Sequence, residues 1–144
     1  MQLSNTLLLA VLGLTSSTLA APAAAKSMMT NTSWTITSLK RVCNKADTSC
    51  TWTFGIDNGS SNQACTLKVQ GEAASEANGG PATCGPYTVT SGWSDQFGAD
   101  NGFTTLSVVD NKSKQIVWPA YTDKQLDGGK VVTPDQSYTP SVLP

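Results

Sequence analysis

Residues 50–69 read CTWTFGIDNGSSNQACTLKV, and this stretch decides the fold class. Apolar and polar residues alternate on both sides of its centre, which is the period-two pattern of a strand with one buried face. The Asn- and Gly-rich centre, DNGSSNQ, is typical of a turn. The stretch therefore predicts a β-hairpin with an apolar inner face. That face carries Cys50, Trp52, Phe54, Ile56, Cys65, Leu67 and Val69.

The segment before this hairpin repeats the alternation. Residues 33–37, SWTIT, form a strand pattern with Trp34 and Ile36 on one face. Leu39 then falls out of phase with these two side chains. One extra residue in the strand restores the apolar face, so a β-bulge is predicted near Ser38.

Shorter strand patterns follow the hairpin. Residues 87–90 form one strand, and residues 103–109 and 115–118 flank DNKSK in a second hairpin. Pro119 ends the last of these strands because proline has no N–H to donate, and residues 121–126 predict a short helical turn. Connections are predicted at residues 71–81, a surface loop, and at residues 91–102 and 127–129. Short strands without a long helical stripe predict a single all-β domain over residues 33–144, an antiparallel β-barrel or sandwich.

The N-terminus carries a targeting pattern. An uncharged apolar run, TLLLAVLGL, follows a short polar start and precedes small residues, as in a secretory signal peptide. Cleavage after Ala20 fits best, with Ala23 as the alternative, and a core helix of the domain is the competing interpretation of the run. The run is too short to span a bilayer. Residues 1–20 are therefore predicted to be a signal peptide and residues 21–32 a flexible arm.

Charge and composition limit the function classes. Nine Lys and Arg balance ten Asp and Glu, and the charges are scattered singly. A nucleic-acid-binding protein needs a basic stripe, which the sequence lacks. With the signal peptide, this composition predicts a secreted, extracellular protein that is a monomer or weak oligomer, with no membrane span and no nucleic-acid partner.

The four cysteines predict two disulfides. Cys43, Cys50, Cys65 and Cys84 all follow the signal peptide, and an even number in a secreted chain favours disulfides. Four cysteines allow three pairings. We favour Cys43–Cys50 and Cys65–Cys84 because the first pair flanks a polar connection that can close between two strands. No CxxC spacing and no His occur, so neither a metal site nor a cofactor is predicted.

Catalytic patterns are weak. The chain has no His, so it has no Ser-His-Asp or Cys-His arrangement. A pair of carboxylates could serve a glycosidase, but most acidic residues stand beside Gly or Asn, where a turn role is expected. The oxygen-rich loop over residues 95–102 suggests calcium but lacks EF-hand spacing. The acidic candidates are Asp57, Glu72, Glu76, Asp95, Asp100, Asp110, Asp123, Asp127 and Asp135.

The aromatic residues supply the binding candidates. Trp34, Trp52 and Trp118 fall on apolar strand faces and are predicted to be core residues. Trp93 is predicted to lie in a loop, either stacking on a ligand or packing as a lid over one end of the domain. Tyr87 and Phe97 are the other binding candidates.

Three N-x-S/T sequons follow the signal peptide. They begin at Asn31, Asn58 and Asn111, each in a predicted turn or strand approach. A glycan can be tolerated at such positions, so all three are glycosylation candidates.

Four stretches carry a family resemblance. Residues 34–43 (WTITSLKRVC), 50–57 (CTWTFGID), 84–93 (CGPYTVTSGW) and 132–138 (VTPDQSY) resemble the small secreted cysteine-containing proteins of filamentous ascomycete fungi. That group includes hypersensitive-response-inducing elicitors and is more distantly similar to the β-barrel mould allergens. The resemblance covers roughly residues 33–138 and brings no catalytic signature. It implies a secreted β-barrel that is recognised by a host or acts on one.

These observations favour one function and leave two alternatives. The favoured function is a secreted fungal effector or elicitor that binds a host protein or a cell-wall polysaccharide without catalysis. The first alternative is a carbohydrate-binding module that uses Trp93 and Tyr87. The second is a hydrolase that uses two turn carboxylates.

Overall fold

A computed structural model describes residues 32–144, and strands dominate this part of the chain. The predicted signal peptide (1–20) and all but the last residue of the predicted arm (21–32) lie outside the described residues. The strands are β1 (Trp34–Cys43), β2 (Ser49–Asp57), β3 (Asn62–Gln70), β4 (Gly79–Cys84), β5 (Tyr87–Ser94), β6 (Phe103–Asp110), β7 (Gln115–Val117), β8 (Ala120–Thr122), β9 (Gln136–Tyr138) and β10 (Ser141–Val142).

The first sheet has the order β3-β2-β1-β9 and is antiparallel. Its centre is the hairpin of β2 and β3, in which Trp52 lies opposite Leu67 and Phe54 opposite Cys65. Every second residue is buried from Cys50 to Ile56 in β2 and from Cys65 to Val69 in β3. The hairpin and its apolar face are therefore confirmed.

The pairing of β1 with β2 contains the predicted bulge. Thr37 pairs with Gly55, whereas Lys40 pairs with Thr53, so β1 has one more residue than β2 in this interval. Ser38 takes a left-handed backbone conformation with φ 49°. Leu39 is consequently buried with Trp34 and Ile36, which confirms the bulge and its effect on the inner face.

The second sheet has the order β10-β7-β6-β5-β4, and β8 also pairs with β6. Val108 pairs with Val117 and Thr105 with Ala120, so β7 and β8 run along β6 in one continuous register. Pro119 separates them, and its carbonyl oxygen still accepts a hydrogen bond from the Leu106 N–H at 2.7 Å. The predicted end of the strand at Pro119 is confirmed, and pairing resumes at Ala120.

The two sheets enclose one hydrophobic core, and they do not close into a barrel. The all-β prediction is confirmed, whereas the barrel that the resemblance to mould allergens implied is wrong. Closure needs continuous hydrogen bonding between sheet edges, and each sheet here ends in edge strands instead. The core draws on both sheets: Ile36, Leu39, Trp52, Ile56 and Leu67 from the first, and Tyr87, Val89, Leu106, Val108 and Tyr121 from the second.

Two disulfides staple this arrangement. Cys43–Cys50 joins directly opposed residues of β1 and β2. Cys65–Cys84 joins β3 to β4 and so connects the two sheets. The pairing is the one favoured from the sequence.

The connections contain short helical segments. The helix α1 (Asp123–Leu126) follows β8 and begins at a capping box, in which Thr122 and Gln125 exchange hydrogen bonds. The predicted helical turn thus starts two residues later than expected, because Tyr121 belongs to β8. The predicted loop over residues 71–81 contains a 3₁₀ turn (Ala74–Glu76) and gives its last three residues to β4. Within residues 32–144, no helix is long and apolar enough to cross a bilayer.

Candidate functional site

Tyr87 is a core residue rather than a surface binding residue. Its side chain is 1 % exposed, and the ring packs edge-on against Trp34 with 5.6 Å between ring centroids. The Tyr87 hydroxyl accepts a hydrogen bond from Asn58 Nδ2 at 3.1 Å. Burial raises the pKa of Tyr87 above its ordinary value. The prediction of Tyr87 as a ligand-contacting residue is therefore wrong: the residue shares the inward phase of Val89 on β5.

Trp93 lies on β5 and not in a loop, which corrects the prediction of its place in the fold. It shares the inward phase of Tyr87 and Val89 and reaches the end of the core, where it is half-buried. Its Nε1–H donates to Asp123 Oδ2 at 3.0 Å. A Cβ added at Gly102 would lie 2.8 Å from the indole, so Gly102 allows this close packing.

Arg41 connects the two sheets at the same end. Its guanidinium lies 5.6 Å from the centroid of the Trp52 ring, and Nη1 donates to the Ser75 carbonyl at 3.1 Å. Nη1 also lies 3.6 Å from Asp123 Oδ1. The chain of contacts from Trp52 through Arg41 and Asp123 to Trp93 spans both sheets, and it holds the indole against the fold.

A polar cleft of about 400 Å³ opens beside Arg41. Asp47 also lines it, but its carboxylate accepts hydrogen bonds from the N–H and the hydroxyl of Ser75, at 2.9 and 2.6 Å. Asp47 also lies near Cys43 and Cys50, the one cluster of potential metal ligands among residues 32–144. The two cysteines form a disulfide with each other and so offer no thiolate to a metal ion, which means that this cluster is not a metal site.

The candidate catalytic carboxylates serve the fold at several positions. Asp57 and Asp110 accept backbone N–H groups two or three residues onward, as in Asx turns. Asp135 accepts the Ser38 N–H at the bulge, and Asp123 holds Trp93 as described. Each of these four carboxylates therefore has a structural role.

Two sequons are described by the structure, and both asparagines are engaged. Asn58 donates to the buried Tyr87 hydroxyl. Asn111 Nδ2 donates to the Pro86 carbonyl and to Thr88 Oγ1, at 3.0 and 2.9 Å. A glycan on Nδ2 would take one of its hydrogens and compete with these contacts. The third sequon asparagine, Asn31, lies outside the described residues.

The exposed aromatic residues gather on the outer face of the second sheet. Phe97, in the loop before β6, is 67 % exposed and stacks on Phe103 with 5.8 Å between centroids and 26° between ring planes. An open, apolar groove of about 420 Å³ lies here, lined by the two rings together with Asn101, Ala120, Tyr121 and Thr122. Of the three predicted binding residues, only Phe97 presents its ring to solvent in this way.

Trp118 joins this surface, which corrects its prediction as a core residue. Its side chain is 52 % exposed. Val117 and Tyr121 are buried on either side of it, and the continuous register with β6 keeps the alternation through Pro119. The indole therefore faces outward. The sequence did not show this because residues 115–119, QIVWP, contain no alternation of polar and apolar types.

The side chains around these rings are short, and most of them carry a hydroxyl. Residues of β5, β6 and β8 that alternate with the buried positions point outward, and none of them is charged. We call this surface the hydroxyl–aromatic face. It comprises Thr88, Thr90, Ser94, Thr105, Ser107 and Thr122 with the rings of Phe97, Phe103 and Trp118. The outer face of the first sheet differs, because it carries Lys40, Asp57 and Lys68.

Comparison with known proteins places the chain among fungal proteins. The family model described as Effector TSP1 matches residues 35–143. A curated protein named Effector TSP1, from Hypocrea virens, is 57 % identical over 148 aligned residues that span 100 % of both chains. These matches cover nearly all of the β-sandwich, including both disulfides and the hydroxyl–aromatic face.

Proposed function

This chain belongs to the Effector TSP1 family, and from that premise we propose that it is secreted and acts on a host or a cell wall by binding, without catalysis. The family resemblance deduced from the sequence, to small cysteine-containing fungal effectors and elicitors, is confirmed. The place of action and the mode of action belong to the proposal. Three sets of observations support it.

The hydroxyl–aromatic face carries the proposal. A soluble domain usually buries its large rings, whereas Phe97 and Trp118 are both more than half exposed on one surface. Exposed apolar groups gathered on one face mark an interaction site. Aromatic side chains contribute large contact areas at little cost in conformational entropy, which suits them to binding.

The chemistry of the chain favours binding over turnover. No His is available as a general base near neutral pH. Both pairs of cysteines are oxidised, so neither offers a thiolate nucleophile. Several acidic candidates hold turns, the bulge or Trp93.

Secretion is supported by the sequence and by the disulfides. The first 20 residues have the pattern of a signal peptide. Two disulfides in a chain of this size suit an oxidising compartment and are rare in reducing ones. Intact mass of the protein from culture medium, starting at Ala21 and unreactive to thiol alkylation, is the expected result; a retained N-terminus would contradict it.

A leaf-infiltration assay tests the mode of action. Purified protein is expected to cause cell death or a defence response in at least one of several plant hosts, and the double variant Phe97→Ala/Trp118→Ala is expected to be much weaker. Val42→Ala/Val131→Ala is the matched control, since both valines are exposed but lie off the hydroxyl–aromatic face. An equal response from the aromatic variant would remove that face from the mechanism.

A third variant separates binding from hydrolysis. Asp95 and Asp100 are exposed candidate carboxylates in the loop that also carries Phe97. The variant Asp95→Asn/Asp100→Asn should keep the full response if binding suffices. Loss of the response in this variant alone, with the fold intact by circular dichroism, would favour the hydrolase alternative.

A further inference from the structure

We infer that the hydroxyl–aromatic face binds a neutral, unbranched polysaccharide chain of the cell wall. This inference rests on the proposed function and names the chemical class of its ligand. It also relocates carbohydrate binding from Trp93 and Tyr87, which the fold uses internally, to Trp118 and Phe97.

The charge distribution argues for a neutral ligand. No outward residue of β5, β6 or β8 is charged, although the chain carries nineteen charged residues. An anionic polymer or a nucleic acid is held by cationic side chains, and none is present on this face. Protein–protein interfaces are enriched in arginine as well as in aromatic residues, and this face has no arginine. An uncharged polymer can bind without cationic side chains on the protein surface.

The spacing of the rings argues for an extended ligand. Trp118 continues the register of β7 and β8 and so lies opposite Ser107, whereas the Phe97–Phe103 stack begins four residues earlier on β6. Four residues of strand span about 13 Å, which is longer than one sugar ring. Two stacking positions this far apart on one sheet therefore match separate rings of an extended chain better than a compact ligand.

The residues between the rings complete the match. Ser107, opposite Trp118, and Thr105 place hydroxyls on β6 in the direction of Phe103, and Thr90 adds another on β5 beside Ser107. A hydroxyl both donates and accepts, as the hydroxyls of a sugar do. The C–H faces of pyranose rings can pack on the aromatic planes while their edges reach these side chains.

Retention on insoluble polymers gives the direct test. Purified full-length secreted protein is incubated with chitin, β-1,3-glucan and cellulose, with polygalacturonate as the anionic comparison. Retention is expected on at least one neutral polymer, with little change between low and high salt because no ion pair contributes. The variants Trp118→Ala and Phe97→Ala should each bind about tenfold more weakly, in line with stacking energies on exposed aromatic residues.

A matched pair of substitutions guards against effects on folding. Thr105 and Thr53 are both half-buried, outward-facing residues in central strands, but on opposite sheets. Thr105→Glu places a charge on the hydroxyl–aromatic face and should abolish retention, whereas Thr53→Glu should not. Equal retention by these two variants would overturn the inference.

The outcomes also separate this inference from the proposed function. If no neutral polymer retains the protein, the polysaccharide inference is wrong. If Phe97→Ala/Trp118→Ala has nonetheless lost the leaf response, the face binds a host protein and the proposed function stands. If binding to a polymer is strong but the leaf response is unaffected by the variants, the polysaccharide inference stands and the elicitor role of the face fails.

Discussion

Removing the disulfide Cys65–Cys84 should destabilise the protein more than removing Cys43–Cys50. The first bridge closes 19 residues and the second closes 7. In the chain-entropy treatment these loops correspond to about 3.2 and about 2.4 kcal/mol of stabilisation. Loop length alone therefore favours the bridge between the sheets.

Burial acts in the same direction. Cys65 and Cys84 are both buried in the core, whereas Cys43 is only half-buried and Cys50 is buried. A buried group of methylene size contributes about 0.8 kcal/mol, so replacement by alanine adds about 1.6 kcal/mol for the first pair and less for the second. The expected totals are about 5 kcal/mol for Cys65→Ala/Cys84→Ala and about 3 kcal/mol for Cys43→Ala/Cys50→Ala.

Urea unfolding followed by tryptophan fluorescence measures this difference. Double variants are used so that neither protein carries a free thiol. Because a domain of this size has a total stability of about 5–15 kcal/mol, a loss of about 5 kcal/mol in the Cys65→Ala/Cys84→Ala protein removes at least about a third of it and should shift the urea midpoint strongly. A variant lacking Cys43–Cys50 that proves equally or less stable would refute both the loop-length argument and the burial argument.

Three further predictions concern the end of the sandwich where the sheets are joined. Arg41→Ala should lower the free energy of unfolding by about 3 kcal/mol. This value is at the lower end of the range for breaking a buried ion pair, because Asp123 is partly solvated. Urea midpoints measure the change. Gly102→Ala should displace the Trp93 indole from Asp123 and change the fluorescence maximum of the protein. An unshifted spectrum would show that the neighbouring side chains accommodate the added methyl group. Burial raises the pKa of Tyr121, so above about pH 10 the unfolded chain binds fewer protons than the folded one and stability should fall as pH rises. Tyr121→Phe should make that alkaline decline shallower, and a decline as steep as in the wild-type protein would contradict the assignment.

The local pattern of the sequence predicted the strands that alternate cleanly. The hairpin of β2 and β3 follows from period-two alternation, and the bulge at Ser38 follows from the phase error of Leu39. The choice between barrel and sandwich did not follow, because it depends on whether distant edges such as β3 and β4 form hydrogen bonds. No local pattern encodes that outcome.

The candidate site was harder to predict, for a related reason. Whether an aromatic residue faces the core depends on strand phase. Trp118 lies in an apolar run in which no alternation of polar and apolar residues reveals that phase. A signal for Tyr87 and Trp93 was present: both share the phase of Val89, and continuing that alternation through Gly92 would have placed them inside. Glycine beside Trp93 suggested a loop and obscured the phase.

The fold separates the residues that stabilise it from those assigned to binding. Arg41, Asp123 and Trp93 join the sheets from the inside, and the disulfide Cys65–Cys84 ties β3 to β4. Trp118, by contrast, leaves more than half of its surface in water and gains only part of the stabilisation that full burial of its side chain would give. Folding alone thus gives little reason for a tryptophan at this position, whereas recognition of a ligand does. Because the two roles fall on different residues, a loss of binding in Trp118→Ala without a matching loss of stability can be attributed to the face itself.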